Sequence, residues 1–290
     1  MSNQKKKKAY LIITTGMTGS GKTSLIEKTI EYLNIKGEKY VKILIDDIIE
    51  NNDKYKQEII KILAKIKESC KDEVDCIEKK YKEPTKEMYK DFGDAYFTTR
   101  KNRCSQDSEL SCDDLLDQDL KKAVKNGDHI IFEFTGQYIP KWLLDTNFIQ
   151  TKYTPVFAYS IVNSTKLYER NITRAFKSIK KFENDKNLPA PRLPDVSKET
   201  LIKKSDEMKS VLKDIYENCI KSHNESKCGN VPPKILLIFD NNDSMKLIFS
   251  IDYDKNDLKF EKALEEASNG FSAKTAKRLK CEMSIFLSEK

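Results

Sequence analysis

Eight residues near the start of the chain, Gly16-Met17-Thr18-Gly19-Ser20-Gly21-Lys22-Thr23, leave little freedom in how it can fold. They spell a complete G-x-x-x-x-G-K-[ST] pattern. Ahead of them Ala9-Tyr10-Leu11-Ile12-Ile13-Thr14 is a short apolar run that predicts a buried strand. Behind them Leu25, Ile26, Ile30 and Leu33 recur at helical spacing, with Gly37 as a stop signal. A strand, a glycine-rich loop and a helix in that order cradle phosphates. Glycines let the backbone turn tightly and aim successive N–H groups at one point. The helix start adds unpaired N–H groups and a positive dipole end. Lys22 is expected to reach the β- and γ-phosphates, and the Thr23 hydroxyl to ligate Mg²⁺. Residues Gly16, Met17, Thr18, Gly19, Ser20, Gly21, Lys22 and Thr23 are thus the expected nucleotide-binding set.

The chain has 290 residues, room for one large domain or two small ones. Its formal charge is +7, carried mostly by lysine, which suits polyanionic substrates in general and is weak support for a nucleic-acid partner. Seven cysteines are present without any C-x-x-C pair. Cys219, His223 and Cys228 are too few for structural zinc, so reduced thiols in a cytoplasmic protein are expected. Lys5 to Lys8 precede an apolar run, but that run feeds straight into the glycine loop and is not a signal peptide. No apolar stretch approaches the length of a membrane span.

Residues 1–8 read as a disordered basic tail and 9–243 as one domain. Tyr40 to Ile45 predicts strand two, ending at Asp46-Asp47. Residues 51–125 read as a helical insertion, with Ile59, Ile60, Leu63 and Ile66, then Leu115, Leu116, Leu120 and Val124, at helical spacing. Strands three, four and five are expected at 129–134, 155–162 and 234–239. Asn163 or Ser164 should cap a helix running to about Phe182. Proline-rich 183–198 closes a lid region of about 164–198, and a further helix is expected over 199–221. Residues 244–290 read as a hairpin (246–252 with 258–260) and a C-terminal helix. Strands alternating with helices predict an α/β fold: a parallel sheet with helices on both faces and a phosphate-binding loop.

Ligands in such sheets bind at the carboxyl ends of the strands, which draws attention to the polar residues there. Asp46, with Asp47 as second choice, is expected to orient a hydroxyl and accept its proton; the bland alternative is an Asx-type helix cap. Glu133, a charge inside an otherwise apolar strand, is expected to meet Mg²⁺ or substrate. Thr135 and Gln137 could hydrogen-bond an acceptor. Arg170 and Arg174 lie four apart on one helix, with Lys177 and Lys181 on the same face and Arg192 beyond. Guanidinium forks suit phosphate oxygens and transition-state charge, so a lid bearing these arginines is preferred over a merely solvated face.

With these residues assembled, the chain resembles the zeta-toxin branch of small-molecule and polynucleotide kinases. Residues 16–23 match that family's first motif. Asp46-Asp47 resembles its general base after strand two, Ile131-Phe132-Glu133-Phe134-Thr135 its strand-three Glu-x-Thr motif, and Tyr168 to Arg174 its arginine-bearing lid helix. Phe239-Asp240-Asn241-Asn242-Asp243 is similar to the turn that lies near the nucleotide base, which implicates Asn241. The chain departs from the family after strand two, where Ile48-Ile49-Glu50 stands in place of a frequent arginine. The resemblance implies an ATP- and Mg²⁺-dependent kinase whose acceptor is a hydroxyl of a nucleotide, nucleotide sugar or other small metabolite. A polynucleotide 5′-hydroxyl kinase ranks second, since no interleaved aromatic and basic residues mark a strand-binding groove. A nucleotide-binding, non-catalytic component ranks third; no N-K-x-D guanine motif occurs.

Overall fold

A computed structural model describes residues 9–102, 104, 110–134, 153–194, 200–201, 203, 235–252 and 257–260. The expected Thr135, Gln137, the helix body after 203, Cys219, His223, Cys228 and the C-terminal helix lie outside the described residues. In chain order the elements are β1 (Ala9–Gly16), α1 (Lys22–Leu33), β2 (Tyr40–Ile43), α2 (Ile45–Glu50), α3 (Asp53–Ser69), α4 (Val74–Lys82), α5 (Lys86–Lys101) and α6 (Cys112–Asn126). They continue as β3 (His129–Phe134), β4 (Tyr153–Ile161), α7 (Ser164–Asn184), β5 (Ile235–Asp240), β6 (Lys246–Asp252) and β7 (Asp257–Phe260). The chain divides into two units, one of Met1–Lys42, Ala123–Leu167 and Leu201–Lys290, the other of Ile43–Lys122 and Tyr168–Thr200.

The first unit is built on a mixed, mostly parallel sheet in the order β2-β3-β1-β4-β5-β6-β7. β1 runs parallel to both β3 and β4, and β4 parallel to β5. The β6–β7 hairpin extends that edge antiparallel, as its short connection requires. The central strands are apolar on both faces because both faces are covered: Ile12, Ile131, Val156 and Leu237 point one way and Leu11, Ile13, Ile130 and Leu236 the other, all buried. Leu25, Ile26, Ile30 and Leu33 of α1 pack on the first of these sets. α1 stops earlier than Gly37 suggests: Asn34 takes the left-handed conformation and closes the last turn.

The second unit is helical. α3, α5 and α7 share a core of Tyr55, Ile59, Leu63, Ile66, Phe92, Ile179 and Phe182. Ile62 joins that face, and Ile60, expected on it, is 39% exposed. α3 and α5 start on side-chain caps: Asn52 accepts from the amides of Lys54 and Tyr55, and Thr85 from that of Met88. Two expectations are corrected here. Strand two ends at Ile43, and Ile45-Asp46-Asp47 begins a helix, where the acids favour the positive end of the dipole. The cysteines of this unit are not reduced: Cys70 is bonded to Cys76 and Cys104 to Cys112. Cys70–Cys76 ties the end of α3 to α4, and neither pairing is announced by a spacing motif. Among the described residues, no helix is long and apolar enough to cross a membrane.

Candidate functional site

The loop after β1 has the shape its glycines predict. Gly19 and Gly21 adopt φ of 84° and 83°, a region closed to most side chains. Gly16 is needed for a different reason: a Cβ there would lie 2.3 Å from Ser20 Oγ. The Ser20 amide donates to the Met17 carbonyl at 2.9 Å and tightens the turn. The Ser20 carbonyl is drawn away from the loop's concave side by two donors, Ser160 Oγ at 2.7 Å and Asn241 Nδ2 at 2.8 Å. Ser160 comes from β4 and Asn241 from the turn after β5. Asn241, expected beside a nucleotide base, therefore also braces the loop, and Ser160, a small polar residue inside an apolar strand, is a brace that no motif singles out.

Gly21 begins α1 without a side-chain cap, so its first-turn amides face no carboxylate of their own helix. Lys22 Nζ bridges Gly16 O at 3.1 Å and Glu133 Oε1 at 3.2 Å. The register Thr14↔Glu133 places Glu133 beside β1 at the carboxyl end of β3. Thr23 is exposed in the first turn of α1, and Met17 turns its side chain into the core. Ser20 Oγ is buried without a hydrogen-bond partner. Uncapped amides, an unspent hydroxyl and a lysine held by one carboxylate and one carbonyl together fit a phosphate chain. Among the described residues no group of three His, Cys, Asp or Glu is placed to hold a metal alone. A Mg²⁺ would thus depend on phosphate oxygens together with Thr23 and Glu133.

The second unit holds a compact charged cluster. Asp46 and Glu50 are one turn apart on α2, and Arg192 reaches both: Nη1 is 2.7 Å from Asp46 Oδ1 and Nε donates to Glu50 Oε1 at 2.7 Å. The Tyr96 hydroxyl donates to Asp46 Oδ1 at 2.7 Å, and its ring lies 5.7 Å from the Arg192 guanidinium carbon. The chain around Arg192 is fixed by a backbone bond, Ala190 N to Glu50 O at 2.7 Å, and by the Tyr55 hydroxyl, which donates to Pro191 O at 3.1 Å. Burial raises the pKa of Glu50 more than Arg192 lowers it. Burial works against the Arg192 charge, yet Asp46 and Glu50 hold the proton on the guanidinium more firmly than usual. Asp47 is exposed on the same turn. Glu50 and Tyr96 were missed from sequence; the i,i+4 spacing of Asp46 and Glu50 was the only local signal.

Arg170 and Arg174 line a groove of about 560 Å³ on α7 with Lys177, Lys181, Thr173, Ser178 and Glu169. Arg174 Nη2 donates to Asn171 Oδ1 at 3.3 Å. The groove is strongly basic, as the four-residue spacing predicts.

Among the solved structures that align with this chain is one that covers nearly all of it. It comes from the PezAT chromosomal toxin–antitoxin system of the human pathogen Streptococcus pneumoniae, at 13% identity and a TM-score of 0.48, covering 98% of this chain and 88% of that one. No protein-family model matches the chain, and no curated protein matches it significantly.

Proposed function

We propose that the protein is a Mg·ATP-dependent phosphotransferase that moves the γ-phosphoryl group to a hydroxyl of a nucleotide, nucleotide sugar or other small metabolite. The observation that carries this reading is the loop of residues 16–23, with uncapped α1 amides, left-handed Gly19 and Gly21, and Lys22 held beside Glu133. Backbone amides and Lys22 grip the phosphates. Thr23 and Glu133 hold the metal, which neutralises phosphate charge when bound. Asp46 takes the alcohol's proton, with Asp47 in reserve, and Arg170 and Arg174 offset the charge on the transferring group. Arg192, assigned to substrate from sequence, takes a supporting part through Asp46 and Glu50.

Calorimetry with Mg²⁺ and ATP, ADP or GTP tests the first step: wild type should give a saturable heat that Lys22→Ala abolishes. Release of ADP that depends on an added alcohol, and that Asp46→Asn lowers to a small but measurable residual rate, tests the second. Labelling of DNA or RNA 5′ ends in place of small acceptors would move the substrate class to polynucleotides. A chain that takes up no nucleotide at all would refute the proposal.

A further inference from the structure

Asp46 is not held symmetrically. Both of its described partners, Tyr96 Oη and Arg192 Nη1, meet the same oxygen, Oδ1, each at 2.7 Å. Among the described residues no hydrogen bond reaches Oδ2. The two donors are themselves fixed. Tyr96 packs edge-on against Tyr55 and Phe97, with ring centroids 6.3 and 5.5 Å apart, and Arg192 is anchored through Nε to Glu50. Oδ1 therefore accepts one directional bond, from the Tyr96 hydroxyl, and stands in close ion-pair contact with the Arg192 guanidinium. The other oxygen then faces one direction and keeps its capacity.

We infer that Tyr96 is a positioning residue: its hydrogen bond, with the Arg192 ion pair beside it, engages Asp46 Oδ1 and fixes the carboxylate so that Oδ2 is the atom that accepts the alcohol's proton. This rests on Asp46 being the base in the proposed reaction. The proton passes from the alcohol oxygen to Oδ2 as that oxygen bonds to phosphorus and the bond to the ADP oxygen breaks. Tyr96 never gives up its own proton. Burial and the neighbouring carboxylate both raise its pKa, so it remains a donor throughout the working range.

The test uses the full chain and radiolabelled Mg·ATP, following ADP formation with water, nucleosides, nucleotides and nucleotide sugars as acceptors. Wild type, Tyr96→Phe, Asp46→Asn and the double variant are compared. Tyr96→Phe should lower kcat about tenfold with the KM for Mg·ATP unchanged, and the lost bond to a carboxylate should lower the melting temperature modestly. In the Asp46→Asn background the same substitution should have no further effect, because the hydroxyl acts only through that carboxylate. Equal kcat losses in both backgrounds, or none in either, overturn the positioning role and leave the phosphotransfer reading intact. Wild type without turnover, or Asp46→Asn as active as wild type, overturns that reading and this inference with it.

Discussion

The glycines of this chain are not interchangeable, and two of them give opposite expectations for one substitution. Gly21 sits at φ 83°, and a Cβ there would meet Asn241 Nδ2 at 2.4 Å. Gly21→Ala should therefore cost about 1–2 kcal/mol from the left-handed backbone, with more from the displaced brace, and should weaken nucleotide binding. Gly93, inside α5, has nothing within 4 Å of the equivalent position. Gly93→Ala should stabilise the protein by about 0.5–1 kcal/mol, since helix entropy is all that changes. Urea unfolding of both variants checks the pair. At this scale the backbone course of the phosphate loop was legible, because strand, glycine turn and helix start each answer a local demand. Tyr96 and Arg192 were not legible in their present roles. An aromatic at helical spacing reads as core, and nothing local ties Arg192 to acids more than 140 positions earlier.

Elements carry a pH dependence and a redox dependence. Glu50 has a pKa raised above its ordinary value by burial, so the folded state binds its proton more tightly than the unfolded chain does. Its contribution is present below the ordinary glutamate range and is lost as pH rises through the folded pKa. Unfolding free energies across that window should show wild type losing stability relative to Glu50→Gln as pH increases. The disulfide Cys70–Cys76, which joins the end of α3 to α4, closes a small loop. Its removal by paired Cys→Ser substitutions should cost about 2 kcal/mol. Four of the seven cysteines are bridged among the described residues, so the unfolded but unreduced chain should titrate at most three thiols. The parallel strands and the closing hairpin were readable to within a residue or two, since apolar runs bounded by polar residues leave few alternatives. Strand two was overextended because Leu44-Ile45 is apolar in either conformation and periodicity cannot separate a strand end from a helix start.

For the molecule as a whole, the nucleotide is expected to act as a structural ligand. Because the folded loop binds phosphates and the unfolded chain does not, Mg·ADP at about one hundred times its Kd should add about 2.7 kcal/mol of stability. Thermal unfolding with and without Mg·ADP would show this as a saturable rise, absent in Lys22→Ala. Cys104–Cys112 and Cys70–Cys76 belong to the helical unit, so reduction should lower its stability without touching the residues of the loop. A last consequence comes from the Ser20 carbonyl, whose two braces are supplied 140 and 221 positions further along the chain. A nascent polypeptide that has emerged only as far as residue 230 would display the entire phosphate motif and yet lack half of what gives it shape. Competence to grip a nucleotide should thus arrive late in synthesis, when the fifth strand docks, and the ligand itself would then report that assembly is complete.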